Sequence, residues 1–442
     1  MEEVDILISG GTILTLDEKE TKIEEGALAI SGDIIAAIGN SKEIERLYSG
    51  GRSIDARGCL VMPGLVNGHT HAAMTCFRGL ADDLELMDWL NNYIFPAEAQ
   101  NVNEELAYWG SLLACAEMIR SGTTTFCDMY IFEEETAKAA KKAGMRCLLG
   151  EVLFDFPSPN SKSPAEGLDY TKRLIERWNA DPLINIVVEP HSLYTCSPSL
   201  LKNAKGLANY YGIPLATHLL ENQGEVEQLR DKLGKKATAF LREMGLLDDR
   251  FIAFHCVCLD DEDIRLFRDH GATIVHNPES NMKLASGVAP IPKMLDHGVP
   301  VGLGTDGCAS NNNLDMMQEM DTAAKLHKVF TMDPTVMDAK TVLKMATAGG
   351  AGALGMGSEI GILQPGMKAD IVIVDLNQPH LTPLYDEYST LVFSANGSDV
   401  RDSIINGRIV MENGRLLTID EKQAMEKVTA ISERVKGGIR IV

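Results

Sequence analysis

Short apolar runs recur through the middle of this chain, and several of them end in polar, metal-competent residues. The run Cys59–Asn67 leads into Gly68-His69-Thr70-His71. Thr123–Met129, Arg146–Phe154, Ile184–Glu189, Leu215–Leu219, Phe251–Val257, Thr273–His276 and Val301–Leu303 follow, each trailed by a helical pattern. Regular alternation of strand and helix predicts a parallel sheet, and eight such units predict a closed (β/α)8 TIM-type barrel over residues 60–367. An open doubly wound sheet is the alternative, but no Gly-x-Gly-x-x-Gly follows a strand to support it.

The two ends have a different texture. Val4–Ser9, Thr12–Leu16, Gly26–Ser31 and Ile34–Gly39 are short strand-like runs broken at Gly10-Gly11 and Gly32-Asp33. Ala369–Leu376, Val400–Ile405 and Arg408–Glu412 repeat the pattern, with turns at Asn406-Gly407 and Asn413-Gly414. Asn-Gly between apolar alternations is a strong hairpin signal. The expectation is a second, smaller β-sandwich domain built from both termini, residues 1–59 and 368–442.

A barrel gathers its strand tips on one face, so residues distant in sequence meet there. Side chains on a strand alternate, which points His69 and His71 the same way. With His218 and Asp306 at later tips they offer three neutral nitrogens and a carboxylate, a set suited to Zn²⁺ and acceptable to Fe²⁺. A metal there would lower the pKa of its water from about 15.7 to about 7. Neither the third nor the fourth strand carries a lysine that could bridge a second ion, so one metal per chain is expected. Glu221, three residues beyond His218, is displaced from the metal and free to face a substrate. His255 is either a further ligand or a partner of the bound water. His276 is as well explained by a structural hydrogen bond as by catalysis, and His270, His297, His327 and His380 have no ligand spacing.

Composition narrows the class of partner. The chain has 442 residues, 45% hydrophobic and 24% charged, as in a soluble globular protein. Forty-one basic against 63 acidic residues leave a net charge of −22, which argues against nucleic acid. The nine cysteines are scattered without Cys-x-x-Cys and read as buried free thiols. The N-terminus has no basic-then-apolar leader, and no apolar stretch reaches about 18 residues, so a cytoplasmic protein without a membrane span is expected.

Pro63–His71, Thr217-His-Leu-Leu-Glu221, His255 and Gly304-Thr-Asp-Gly307 together resemble the amidohydrolase superfamily over essentially the whole chain. Phe77–Asp83, Met87–Leu90 and Ile94-Phe-Pro-Ala-Glu98 resemble a narrower branch, the 5'-methylthioadenosine/S-adenosylhomocysteine deaminases, with 5'-deoxyadenosine deaminases as close kin. The resemblance implies hydrolytic deamination of a small nucleoside by a zinc enzyme, with a homo-oligomer compatible. It implies zinc on His69, His71, His218 and Asp306. It also implies Glu98 on the ribose hydroxyls, His191 on the purine, Glu221 as the acid for N1, and His255 with Asp306 orienting and deprotonating the water. Members that take S-adenosylhomocysteine can hold its carboxylate with arginines after the third strand; none lies here between Arg146 and Arg173. That shifts the expectation towards 5'-methylthioadenosine or 5'-deoxyadenosine. A sister enzyme acting on guanine, cytosine or a triazine is the competing expectation, and Glu98 discriminates, since a free base has no ribose. The nucleic-acid deaminases carry His-x-Glu with Pro-Cys-x-x-Cys, which this chain lacks.

Overall fold

The computed structural model describes residues 1–438; the last four residues of the expected C-terminal segment, 439–442, lie outside the described residues. Eight parallel strands form the middle of the chain: Leu65–Thr70, Thr123–Tyr130, Arg146–Leu153, a fourth in two pieces (Ile184–Ile186 and Glu189–Pro190), Leu215–Leu219, Phe251–His255, Thr273–His276 and Val301–Leu303. The first four pair in order, as do the last four. Bridges from Val188 to Leu215 and from Ser192 to His218 join the two halves. On the far side the Asp306 N–H donates to the His69 carbonyl at 2.9 Å, closing the barrel. Gly304 permits that closure, because a Cβ there would sit 2.6 Å from the His69 nitrogen.

The helices are cut where the sequence stops them. Glu133–Ala143, Pro198–Tyr211, Gln223–Leu233 and Asp261–His270 each end on a glycine in the left-handed region (Gly144, Gly212, Gly234, Gly271). Asn103, Ser197, Asn222 and Asp260 cap helix N-termini with side-chain oxygens. The insertion after the first strand is ordered into short pieces, of which Phe95–Asn101 is the last.

Both termini join one nine-stranded sheet. Its seam is Cys59–Pro63 running antiparallel to Ile371–Asp375, with Ile371 opposite Pro63 and Asp375 opposite Cys59. Alternation gives each seam strand two jobs: Leu60, Met62, Val372 and Val374 face the barrel's core, while Cys59, Val61, Ile371 and Ile373 pack with Ile8, Leu28 and Ile30. The glycines at Gly10-Gly11 do not end a strand as expected. Glu2–Leu14 runs through them with a register shift between Ser9 and Gly11, since an irregular residue can be absorbed as a bulge. The C-terminal segment is not all β: Glu421–Gly438 is a helix whose Val428, Ile431 and Val435 join the apolar cluster of the insertion around Leu86, Trp89 and Ile94. No helix among the described residues is long and apolar enough to cross a membrane.

Candidate metal centre and cleft

His69 is fully buried near the tip of the first strand. Its Nε2 lies 3.2 Å from His218 Nε2 and 3.4 Å from Asp306 Oδ1, and His71 Nε2 lies 3.2 Å from the same carboxylate oxygen. Two donor groups share His69: one with His71 and Asp306, the other with His218 and His255. Backbone carbonyls fix two of the rings. His71 Nδ1–H donates to the Met129 carbonyl and His218 Nδ1–H to the His191 carbonyl, the latter at 2.8 Å. With Nδ1–H so engaged, each ring in its neutral form, the form a bound cation would select, turns a lone pair on Nε2 towards the centre. His255 Nδ1 meets the Asn281 side-chain oxygen at 3.0 Å.

Asp306 divides its two oxygens. Oδ2 accepts from the Ser280 and Ser310 hydroxyls at 2.6 and 2.7 Å, while buried Oδ1 has no conventional hydrogen-bond partner and faces the imidazoles. Burial alone would hold His71 neutral, yet the adjoining Asp306 pulls its pKa up to about 9. Burial pushes His69 down to about 3. Converging lone pairs and one open carboxylate oxygen are what a divalent cation requires, so the donor set fits such an ion.

The cluster forms the floor of an open cleft of about 650 Å³, the solvent at its mouth included. Glu221 lines it with its Oε2 4.0 Å from His255 Nε2, and burial raises its carboxyl above the usual range. His191, at the end of the fourth strand, lies 4.9 Å from His218 between ring centroids and is held neutral by burial. Glu98 enters from the helix Phe95–Asn101, and burial pushes its carboxyl up to about 7. Phe95, Trp89 and Phe154 supply apolar walls, and Phe154 stacks on Phe156.

His71, Glu98, His191, His218, Glu221, His255 and Asp306, all singled out for the site, line one cleft, and fully buried His69 joins them through both donor groups. His276 does not join them. It pairs with His327, Nε2 to Nε2 at 3.0 Å, so the two are one buried structural contact. Eight of the nine cysteines are buried and all are free, and none joins a metal-donor group among the described residues. Ser280, Ser310 and Asn281 escaped the sequence reading because nothing in a lone hydroxyl or amide marks its partner. Glu225 was findable: Asn222-x-x-Glu225 is a capping-box spacing.

Residues 60–410 match the profile described as the amidohydrolase family. The chain is 64% identical to 5-methylthioadenosine/S-adenosylhomocysteine deaminase 1 of Syntrophus aciditrophicus (strain SB), over 100% of this chain and 99% of that one. It is 47% identical to 5'-deoxyadenosine deaminase of Methanosarcina mazei, over 98% of each. The solved structure of an adenosine deaminase from Xanthomonas campestris with bound zinc matches with a TM-score of 0.97 at 37% identity, covering 99% of each chain.

Proposed function

This chain belongs to the amidohydrolase family, and on that premise we propose that it hydrolyses the C6 amino group of adenosine-type nucleosides, releasing ammonia and the inosine analogue. One observation carries the reading to nucleosides: Glu98, suited to a ribose diol, opens onto the same cleft as the metal-donor cluster and Glu221. His69, His71, His218 and Asp306 would hold one Zn²⁺ per chain. The ion, when bound, supplies the Lewis acidity that brings water ionisation into the neutral range, from about 15.7 to about 7.

The chain's own groups then divide the work. His191 contacts the purine and Glu98 accepts from the 2'- and 3'-hydroxyls, holding C6 over the floor. His255 and Asp306 orient the attacking water and take its proton as oxygen bonds to C6. Glu221 delivers a proton to N1, which keeps negative charge from building on the ring. When the tetrahedral carbon collapses, the amino group takes up a proton, the C6–N bond breaks and ammonia leaves. Positioned proton transfers of this kind contribute about 10²–10⁴-fold each.

Phe95 and Phe154 line the cleft, and neither lysine nor arginine does among its described lining residues. This favours an uncharged 5' substituent, 5'-methylthioadenosine or 5'-deoxyadenosine. The terminal sheet is read as a sandwich-type unit curling over its apolar cluster, with domain boundaries near residues 59 and 367.

Ammonia release measured across adenosine, its 5'-deoxy and 5'-methylthio forms, S-adenosylhomocysteine, adenine, guanine and cytosine tests the proposal. The apolar 5' nucleosides should lead. S-adenosylhomocysteine should trail them by roughly tenfold or more in kcat/KM, the worth of about 1.4 kcal/mol of unmade ion pairing. Faster turnover of a free base would overturn the nucleoside reading.

A further inference from the structure

Glu221 sits on a loop, and loops do not by themselves hold a carboxyl to the tolerance that proton transfer needs. The chain turns sharply at Leu220, whose φ of 51° lies in the left-handed region that a leucine rarely adopts. Something must hold that turn. From one side the Cys258 N–H donates to the Leu220 carbonyl at 3.0 Å. From the other, Glu225 takes both neighbouring amides: Oε1 accepts the Leu220 N–H at 3.0 Å and Oε2 accepts the Glu221 N–H at 2.7 Å.

Glu225 is the third residue of the helix Gln223–Leu233, and Asn222 caps that helix by accepting the Glu225 N–H at 2.8 Å. In an ordinary capping box the glutamate at this position returns to the amide of the capping residue itself. Here it passes over Asn222 and grips the two amides before it. The carboxylate is buried, with both oxygens committed, and it does not line the cleft. Helix capping alone does not require this displaced grip on the residue that points into the site.

We propose that Glu225 is a positioning residue for the reaction: it clamps the Leu220–Glu221 backbone so that the Glu221 carboxyl is aimed at the heterocycle. The inference rests on Glu221 being the proton donor. Charge-assisted hydrogen bonds from a rigid helix end tie the acid's main chain to the scaffold. A change at Glu225 should therefore act on turnover and spare substrate binding, which is made elsewhere by Glu98 and His191.

The test is a double-mutant cycle on zinc-loaded protein of verified metal content and fold. Glu225→Gln keeps the length but sets an amide NH₂ against one of the two N–H groups. It should lower kcat about 10- to 100-fold, the cost of a misplacement near 1 Å, with KM within about threefold. Placed in a Glu221→Gln background, the same change should cost less than about threefold more, because the group it aims is already gone. Losses that multiply, or a Glu225→Gln enzyme with parental kcat, would overturn the inference. Glu225→Asp, which keeps the charge but is one methylene short, provides the same cycle if the glutamine variant does not fold. Parental turnover by Glu221→Gln alone would instead remove the proton-donor role itself, and this outcome is recognised without any change at Glu225.

Discussion

Asp306 and Glu221 show how much chemistry depends on which oxygen is already engaged. Ser280 and Ser310 saturate one oxygen of Asp306 and leave the other to the histidines, so the aspartate presents a single aimed donor. Glu221 lies beside this cluster, its Oε2 4.0 Å from His255 Nε2, but belongs to neither of the two donor groups. Glu221→Gln should therefore keep one equivalent of metal per chain by elemental analysis while losing about 10²–10⁴-fold in kcat. Loss of metal in step with activity would make it a ligand.

At the scale of the element, the helix Phe95–Asn101 brings Phe95 and Glu98 into the cleft. Phe95 and Glu98 are three residues apart and share one face, so a wall and a hydrogen-bond acceptor arrive together. Hydrogen bonds from both ribose hydroxyls to a carboxylate are worth about 1.5–3 kcal/mol each. Glu98→Ala should cut kcat/KM roughly 10²–10⁴-fold on the nucleoside, and far less on a 2',3'-dideoxy analogue that never made those bonds. An equal loss on both substrates would reduce Glu98 to a structural role. Burial raises the Glu98 carboxyl to about 7, so in the free enzyme it gains a proton as pH falls through that value. The ionised form is the better acceptor. KM for the nucleoside should thus rise between pH 8 and 6, a trend measured by initial rates and absent with the dideoxy analogue.

For the whole molecule, the barrel and the terminal sheet are bolted together at one buried ion pair. Arg146, opening the third strand, makes bidentate bonds to Asp370 at 2.7 and 3.1 Å and further bonds to the Pro182 carbonyl and the Asn406 side chain. Both charges are 2% exposed. Breaking such a pair from one side strands a charge and costs about 3–5 kcal/mol, whereas replacing both partners with apolar groups recovers much of it. Arg146→Met should lower the unfolding free energy by that amount in denaturant titration, and adding Asp370→Leu should restore a large part. A single variant within 1 kcal/mol of the parent would show that the seam strands alone hold the two units together.

The sequence by itself determined the local facts: alternation of apolar and polar positions, polar tips on the strands, and glycine and asparagine punctuation. Those were enough for the barrel, for terminal strands that share one sheet, and for His69, His71, His218, His255 and Asp306 meeting in the cleft, because strand tips in a closed parallel barrel must converge; Glu98 and His191 were legible only through the family resemblance. The bulge at Gly10-Gly11 and the C-terminal helix were less legible, since a glycine pair signals a bulge and a turn alike, and an amphipathic tail does not name the surface that buries it. Only the tertiary structure decided which Asp306 oxygen stays open, that His276 spends itself on His327, and that Glu225 reaches past its own helix cap to the Leu220 and Glu221 amides. Each of these is a contact between groups set by packing, at a separation of a few ångströms that no spacing along the chain encodes.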